Sequence, residues 1–165
     1  MQKQLFLVLT LVALFSCREA NKKDAIEEIA DTEFNIEKWP KKTLVNPIAA
    51  DILKEWPEYV SLETSFEGIY RVENTEDLAL IIEDLIEKQK LLAESEYPET
   101  FDKPHIKSRQ VALKTYILKT KGSLEYRLDL QEPVIEMIES FNALRNQFNV
   151  IVNNTFDAKL ILDGQ

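Results

Sequence analysis

Three rhythms of apolar and polar residues succeed one another along the chain. Leu5 to Phe15 are apolar apart from Thr10, residues 18 to about 43 are charged and short of large apolar side chains, and from Asn46 apolar residues return at helical spacing. Recurrence at i, i+3, i+4 and i+7 marks one face of an α-helix. In the first such stretch Asn46 is a candidate cap, Pro47 suits the first helical position, and Ile48, Ile52 and Trp56 share a face that Pro57 ends or kinks. Tyr59, Leu62, Phe66 and Ile69 predict a second helix running to about Val72, with Gly68 as its weak point. The third prediction is the clearest. Asn74 caps it, Glu76 and Asp77 complement the helix dipole, and Leu78, Ile81, Ile82, Leu85, Ile86 and Leu92 form one stripe that stops before Pro98.

After a turn from Glu96 to Lys103, Pro104 opens a fourth stretch in which Ile106, Leu113, Ile117, Leu124 and Leu128 make a coiled-coil-like seam. Leu124 to Leu130 also alternate strictly with polar residues, so a hairpin turning at Lys121 and Gly122 competes with one continuous helix. The helix is favoured because the seam crosses Gly122 in phase. A fifth helix starts near Pro133 and carries Val134, Met137, Ile138, Phe141, Leu144, Phe148 and Ile151. Asn153 and Asn154 suit its exit, after which the tail with Phe156, Leu160, Ile161 and Leu162 is expected to pack back. The fold expected over residues 46–165 is an all-α antiparallel bundle of four to five helices. Only three glycines in 165 residues support helices over the many tight turns of an all-β domain.

The N-terminal run is too short to span a membrane, which takes roughly 20 apolar residues, and with Lys3 ahead of it it has the form of a secretory signal over residues 1–16. The quartet Leu14, Phe15, Ser16 and Cys17 resembles the bacterial lipobox, with Phe15 departing from the small or β-branched residue usual there. That resemblance implies cleavage before Cys17, a diacylglycerol on its sulfur, a further acyl chain on the new amino terminus, and attachment to a lipid bilayer. Two or three chains anchor stably where one is marginal. Composition adds a second point of similarity: richness in Lys, Ile, Asn and Glu resembles lipoproteins of the Bacteroidota, which implies a cell-envelope location and brings no activity with it. Residues 17–45 then read as the acylated cysteine and a flexible charged tether.

Charge and cysteine usage narrow the chemistry. The chain has a net charge of −9, which disfavours nucleic acid and electrostatic attachment to anionic headgroups. Cys17 is the sole cysteine, so no internal disulfide forms, and once lipidated it supplies neither a nucleophile nor an iron–sulfur ligand. His105 is the sole histidine, too few for a zinc or copper cluster and the only imidazole a serine triad could use, with no Gly-x-Ser-x-Gly elbow to present the nucleophile; no metal, cofactor or catalytic residue is expected. Pairs such as Glu83 and Glu87 read as a solvated helix face. Asn153, Asn154 and Thr155 match a glycosylation sequon but read as a helix exit. Trp39 and Trp56 each precede a proline, and packing as a plug is preferred to exposure as a contact.

One feature of the charge pattern stands out. From Lys103 to Lys121 the chain holds Lys103, Lys107, Arg109, Lys114, Lys119 and Lys121 without an acid. Pairing with Glu83, Asp84 and Glu87 on an antiparallel neighbour is the plainer account, while Lys107, Lys114 and Lys121, at sevenfold spacing, form a candidate stripe for an anionic partner or glycan. The expected function is a non-enzymatic protein-binding or scaffold module of the envelope, facing the periplasm or the exterior. A small-molecule sensor or carrier built on the bundle, and less so a glycan-active enzyme using carboxylates, are the alternatives.

Overall fold

The computed structural model describes residues 36–163, with side chains to Asn154; the signal, Cys17 and the first part of the tether lie outside the described residues. Among the described residues the fold is all-α, a bundle of five helices: α1 Pro47–Leu53, α2 Pro57–Glu67, α3 Thr75–Glu94, α4 Pro104–Glu125 and α5 Gln131–Asp163. Short 3-10 turns occupy Ile36–Lys38 and Gly68–Arg71. Two caps form as the side chains dictate: Asn46 Oδ1 accepts from the Ile48 amide at 2.8 Å, and Asn74 Oδ1 from the Asp77 amide at 2.8 Å. Prolines open α1, α2 and α4, where a missing N–H leaves no helical bond unmade.

Helices α2 to α5 close on one another, each antiparallel to the next. Ser65 of α2 donates to Asp84 of α3, Lys121 of α4 meets Glu83 of α3 at 2.7 Å, and Lys119 of α4 pairs with Glu136 of α5. Phe66 stacks on Phe141 at 4.1 Å and Tyr59 meets Phe148 edge-on at 5.2 Å, which ties α2 back to α5. Buried Leu62, Leu78, Ile82, Leu85, Leu113, Ile117, Met137 and Leu144 fill the centre. Phe101, in the turn between α3 and α4, is buried against Phe148 at 4.6 Å and pins that turn down.

Several expectations need correction. On α1 it is Ala49 and Leu53 that are buried, while Ile48 is exposed; Trp56 is not on that helix but caps α2, buried, with its indole N–H donating to Ser95 Oγ at 2.8 Å. α2 ends at Gly68, where a Cβ would lie 3.1 Å from Ile81 Cδ1, and the chain tightens into a 3-10 turn that still buries Ile69. α4 passes through Gly122 unbroken, so there is no hairpin, but it stops before Leu128, which is exposed. Its end is a Schellman turn: the Leu128 amide donates to Ser123 O at 2.9 Å and Arg127, at φ 52°, donates to Leu124 O at 3.2 Å. α5 starts two residues before Pro133 and runs through Asn153 and Asn154 to Asp163, so these asparagines are neither an exit nor the start of a returning tail.

Residues 36–45, expected as the end of the tether, are packed. Trp39 is buried, and the extended backbone from Lys41 to Asn46 lies along α5. Asn142 accepts from the Thr43 amide at 2.9 Å and donates to Lys41 O at 2.9 Å. Asn149 accepts from the Asn46 amide at 2.7 Å and donates to Leu44 O at 3.0 Å. This strap carries the chain into α1.

Candidate functional site

A broad depression opens where α3 ends and α4 begins. It has a volume of about 980 Å³, and its lining includes Gln89, Tyr97, Lys103, Lys107, Gln110 and Lys114. The stripes that build α3 and α4 also place its floor. Gln89 falls in phase with Leu78, Ile82, Leu85 and Leu92, and Gln110 in phase with Ile106, Leu113 and Ile117, so both amides are carried inward by apolar packing. Gln110 is 1% exposed; its Oε1 accepts from Tyr97 Oη at 2.7 Å, its Nε2 has no partner, and its backbone carbonyl accepts from Gln89 Nε2 at 3.4 Å.

Tyr97 forms the wall. Its ring lies 4.9 Å from that of buried Trp56, Lys107 Nζ sits 5.0 Å above it, and burial raises its phenol above the ordinary value. Glu96, Glu99 and Asp102 share the rim with the lysines, so the groove carries both signs of charge. Lys107 is bound to Asp102 at 2.6 Å, a hydrogen bond that raises the pKa of its ammonium. Lys114 and Lys103 have no carboxylate within 4.0 Å among the described residues.

Of the stripe read from sequence, Lys107 and Lys114 therefore line the groove, while Lys121 lies beyond it, held by Glu83 at 2.7 Å and Glu125 at 3.7 Å. Intramolecular pairing accounts for Lys107, Lys119 and Lys121 but not for Lys114. Of the acids expected opposite, Glu83 does meet α4; Asp84 turns instead to Ser65 and Lys88, and Glu87 stays exposed. His105 is exposed, and no group of three metal-binding side chains occurs among the described residues. Among them, too, no helix is long and apolar enough to cross a membrane.

Sequence reading missed Gln89, Gln110 and Tyr97. The signal available was polarity at core phase: a glutamine where the stripe calls for an aliphatic residue.

A second polar cluster lies between α2 and α5. Arg145 is 1% exposed, donates from Nη2 to Glu63 Oε1 at 2.8 Å, and rests over Phe141 at 4.3 Å, with Nε and Nη1 unpartnered. Lys42 of the strap reaches the same carboxylate at 3.1 Å. Tyr59 is fully buried beside them, and burial, then the charge of Glu63, push its phenol well above the usual range.

No family model, no curated protein and no solved structure matches this chain.

Proposed function

We propose that this protein is a lipid-anchored component of a bacterial cell envelope, attached through Cys17, whose helical domain is a non-enzymatic module that binds a partner protein. The observation that carries the reading is the groove beside the α3–α4 turn, where the partnerless buried Nε2 of Gln110, the ring of Tyr97, and Lys103 and Lys114, unpaired among the described residues, converge. Amide donors and an aromatic wall suit the mixed polar and apolar surface of a polypeptide better than bond-breaking chemistry.

The test is a photo-crosslinking residue placed at Glu99 on the rim, with a control at Glu73, exposed at the far end of α3. In intact envelopes Glu99 should give a discrete adduct and Glu73 none. No adduct from any rim position, or equal adducts from both, overturns the reading. Cys17→Ser should move the protein out of the membrane fraction; retention there overturns the anchor.

A second reading has its own support. The groove volume, about 980 Å³, is at the upper end of small-ligand sites, which run to roughly 1,000 Å³. Native mass spectrometry of protein taken from its host would then show a retained ligand, lost on Gln110→Leu.

A further inference from the structure

The fourth helix has two seams, and the core covers one of them. Facing away from the core, Ser108, Val111, Thr115, Leu118 and Gly122 recur at spacings of 3, 4, 3 and 4, the a and d positions of an outward heptad. None is charged. Val111 is 65% exposed and Leu118 44% exposed, a Cβ on Gly122 would meet nothing within 4 Å, and the Thr115 hydroxyl is spent within the helix on Val111 O at 2.9 Å.

The flanks are basic. Lys107, Lys114 and Lys121 precede the a positions, where a coiled coil places charges that choose its partner, and Lys119 lies on the other side. An ordinary solvated helix face reverses this order, with charges along its middle.

We propose that this outward seam docks an acidic amphipathic helix of a partner protein, a proposal that rests on the reading of the domain as a protein-binding module. Small residues at the a positions let a second helix approach closely, and Val111 and Leu118 supply apolar contacts about 10.5 Å apart along the axis. The partner's seam must be apolar and its flanks Glu or Asp. Among the described residues Lys114 has no carboxylate of its own, and the exposed pairs that hold Lys107, Lys119 and Lys121 are of the kind that exchange readily. Antiparallel pairing of α4 with a second copy of itself would set lysine against lysine along the whole seam, so the occupant is not this helix. The groove at the α3–α4 turn adjoins the seam through Lys107, Val111 and Lys114, giving one continuous surface.

The experiment uses the full-length protein and two synthetic four-heptad helices, both with Leu at the a and d positions, one with Glu and one with Lys at the flanking e and g positions. By fluorescence anisotropy the Glu helix should bind at least about tenfold more tightly than the Lys helix. Leu118→Asp and Val111→Asp, each at an exposed site, should weaken that binding at least about tenfold with an unchanged circular dichroism spectrum. Lys107→Glu combined with Lys114→Glu should reverse the preference. Equal binding of the two helices, or binding untouched by both aspartate variants, overturns the proposal. So does a dimer in sedimentation that Leu118→Asp dissolves, which would make a second copy the occupant. A groove adduct from Glu99 that survives both aspartate variants would retire the seam while leaving the binding-module reading intact.

Discussion

Truncating Asn149 to alanine tests how the strap is held. The substitution removes two hydrogen bonds, one from the Asn46 amide at 2.7 Å and one to Leu44 O at 3.0 Å. The register that makes these bonds is arithmetic. Asn142 and Asn149 are two helical turns apart, about 10.5 Å at 1.5 Å per residue, and the amides they accept, Thr43 and Asn46, are about 10 Å apart on an extended chain. Each bond is worth about 0.5–1.5 kcal/mol net, and because the strap backbone is only partly buried, water recovers some of the loss. The expected change is about 1–2 kcal/mol of local stability, which is about five- to thirtyfold faster exchange of the Asn46 amide. Trp39 remains buried and Asn142 still grips Lys41 and Thr43, so the Thr43 amide should change much less. The assay is amide hydrogen exchange read residue by residue by NMR. Unchanged protection at Asn46 would refute the clamp; an equal rise at amides throughout α3 and α4 would show global destabilisation in place of strap release.

Three further outcomes follow from the fold. Gly122→Ala, with nothing within 4 Å of the new Cβ, should stabilise α4 by about 0.5–1 kcal/mol in urea unfolding, whereas a turn at this position would lose stability. Removing the half-buried partner of buried Arg145, Glu63→Ala, should cost about 3 kcal/mol because Arg145 is left charged and buried, while Arg145→Met should be near neutral, since Glu63 keeps Lys42; the opposite order in urea unfolding refutes this account. Because the folded protein holds the Tyr59 phenol above its usual value of about 10, the associated stability is complete below that pH and is lost as pH rises beyond it. Tyr59→Phe should therefore flatten the alkaline fall in Tm, and an identical fall in both proteins would exclude Tyr59 as its source.

How far the sequence discloses this molecule depends on which interactions are local. The stripes of α3 and α5 are set by apolar residues three and four apart, so periodicity alone finds them, and Asn74 and Asn46 cap because a short amide side chain reaches the next turn. The strap is not legible that way. Residues 36–45 are polar enough to read as tether, and they pack only because Asn142 and Asn149, about 100 residues on, offer amides in register with extended backbone. A third asparagine of α5 explains its misread end: Asn153 accepts from Asn46 Nδ2 at 2.9 Å, so an asparagine that resembles a helix exit serves a tertiary bond inside the helix.

The candidate site was half legible for a related reason. Lysines at sevenfold spacing are conspicuous, but charge alone does not say what they flank. Reading the α4 seam from Ile106, Leu113 and Ile117 leaves Val111 and Leu118 out of phase, as stray apolar residues on a polar side. Once the core is known to take Ile106, Gln110, Leu113, Ile117 and Thr120, the remainder falls into a second heptad with its own charged border. A helix that must bury one face has no folding reason to keep the opposite one free of charge over four turns. That conflict between local economy and observed pattern is what the proposed acidic partner helix would account for.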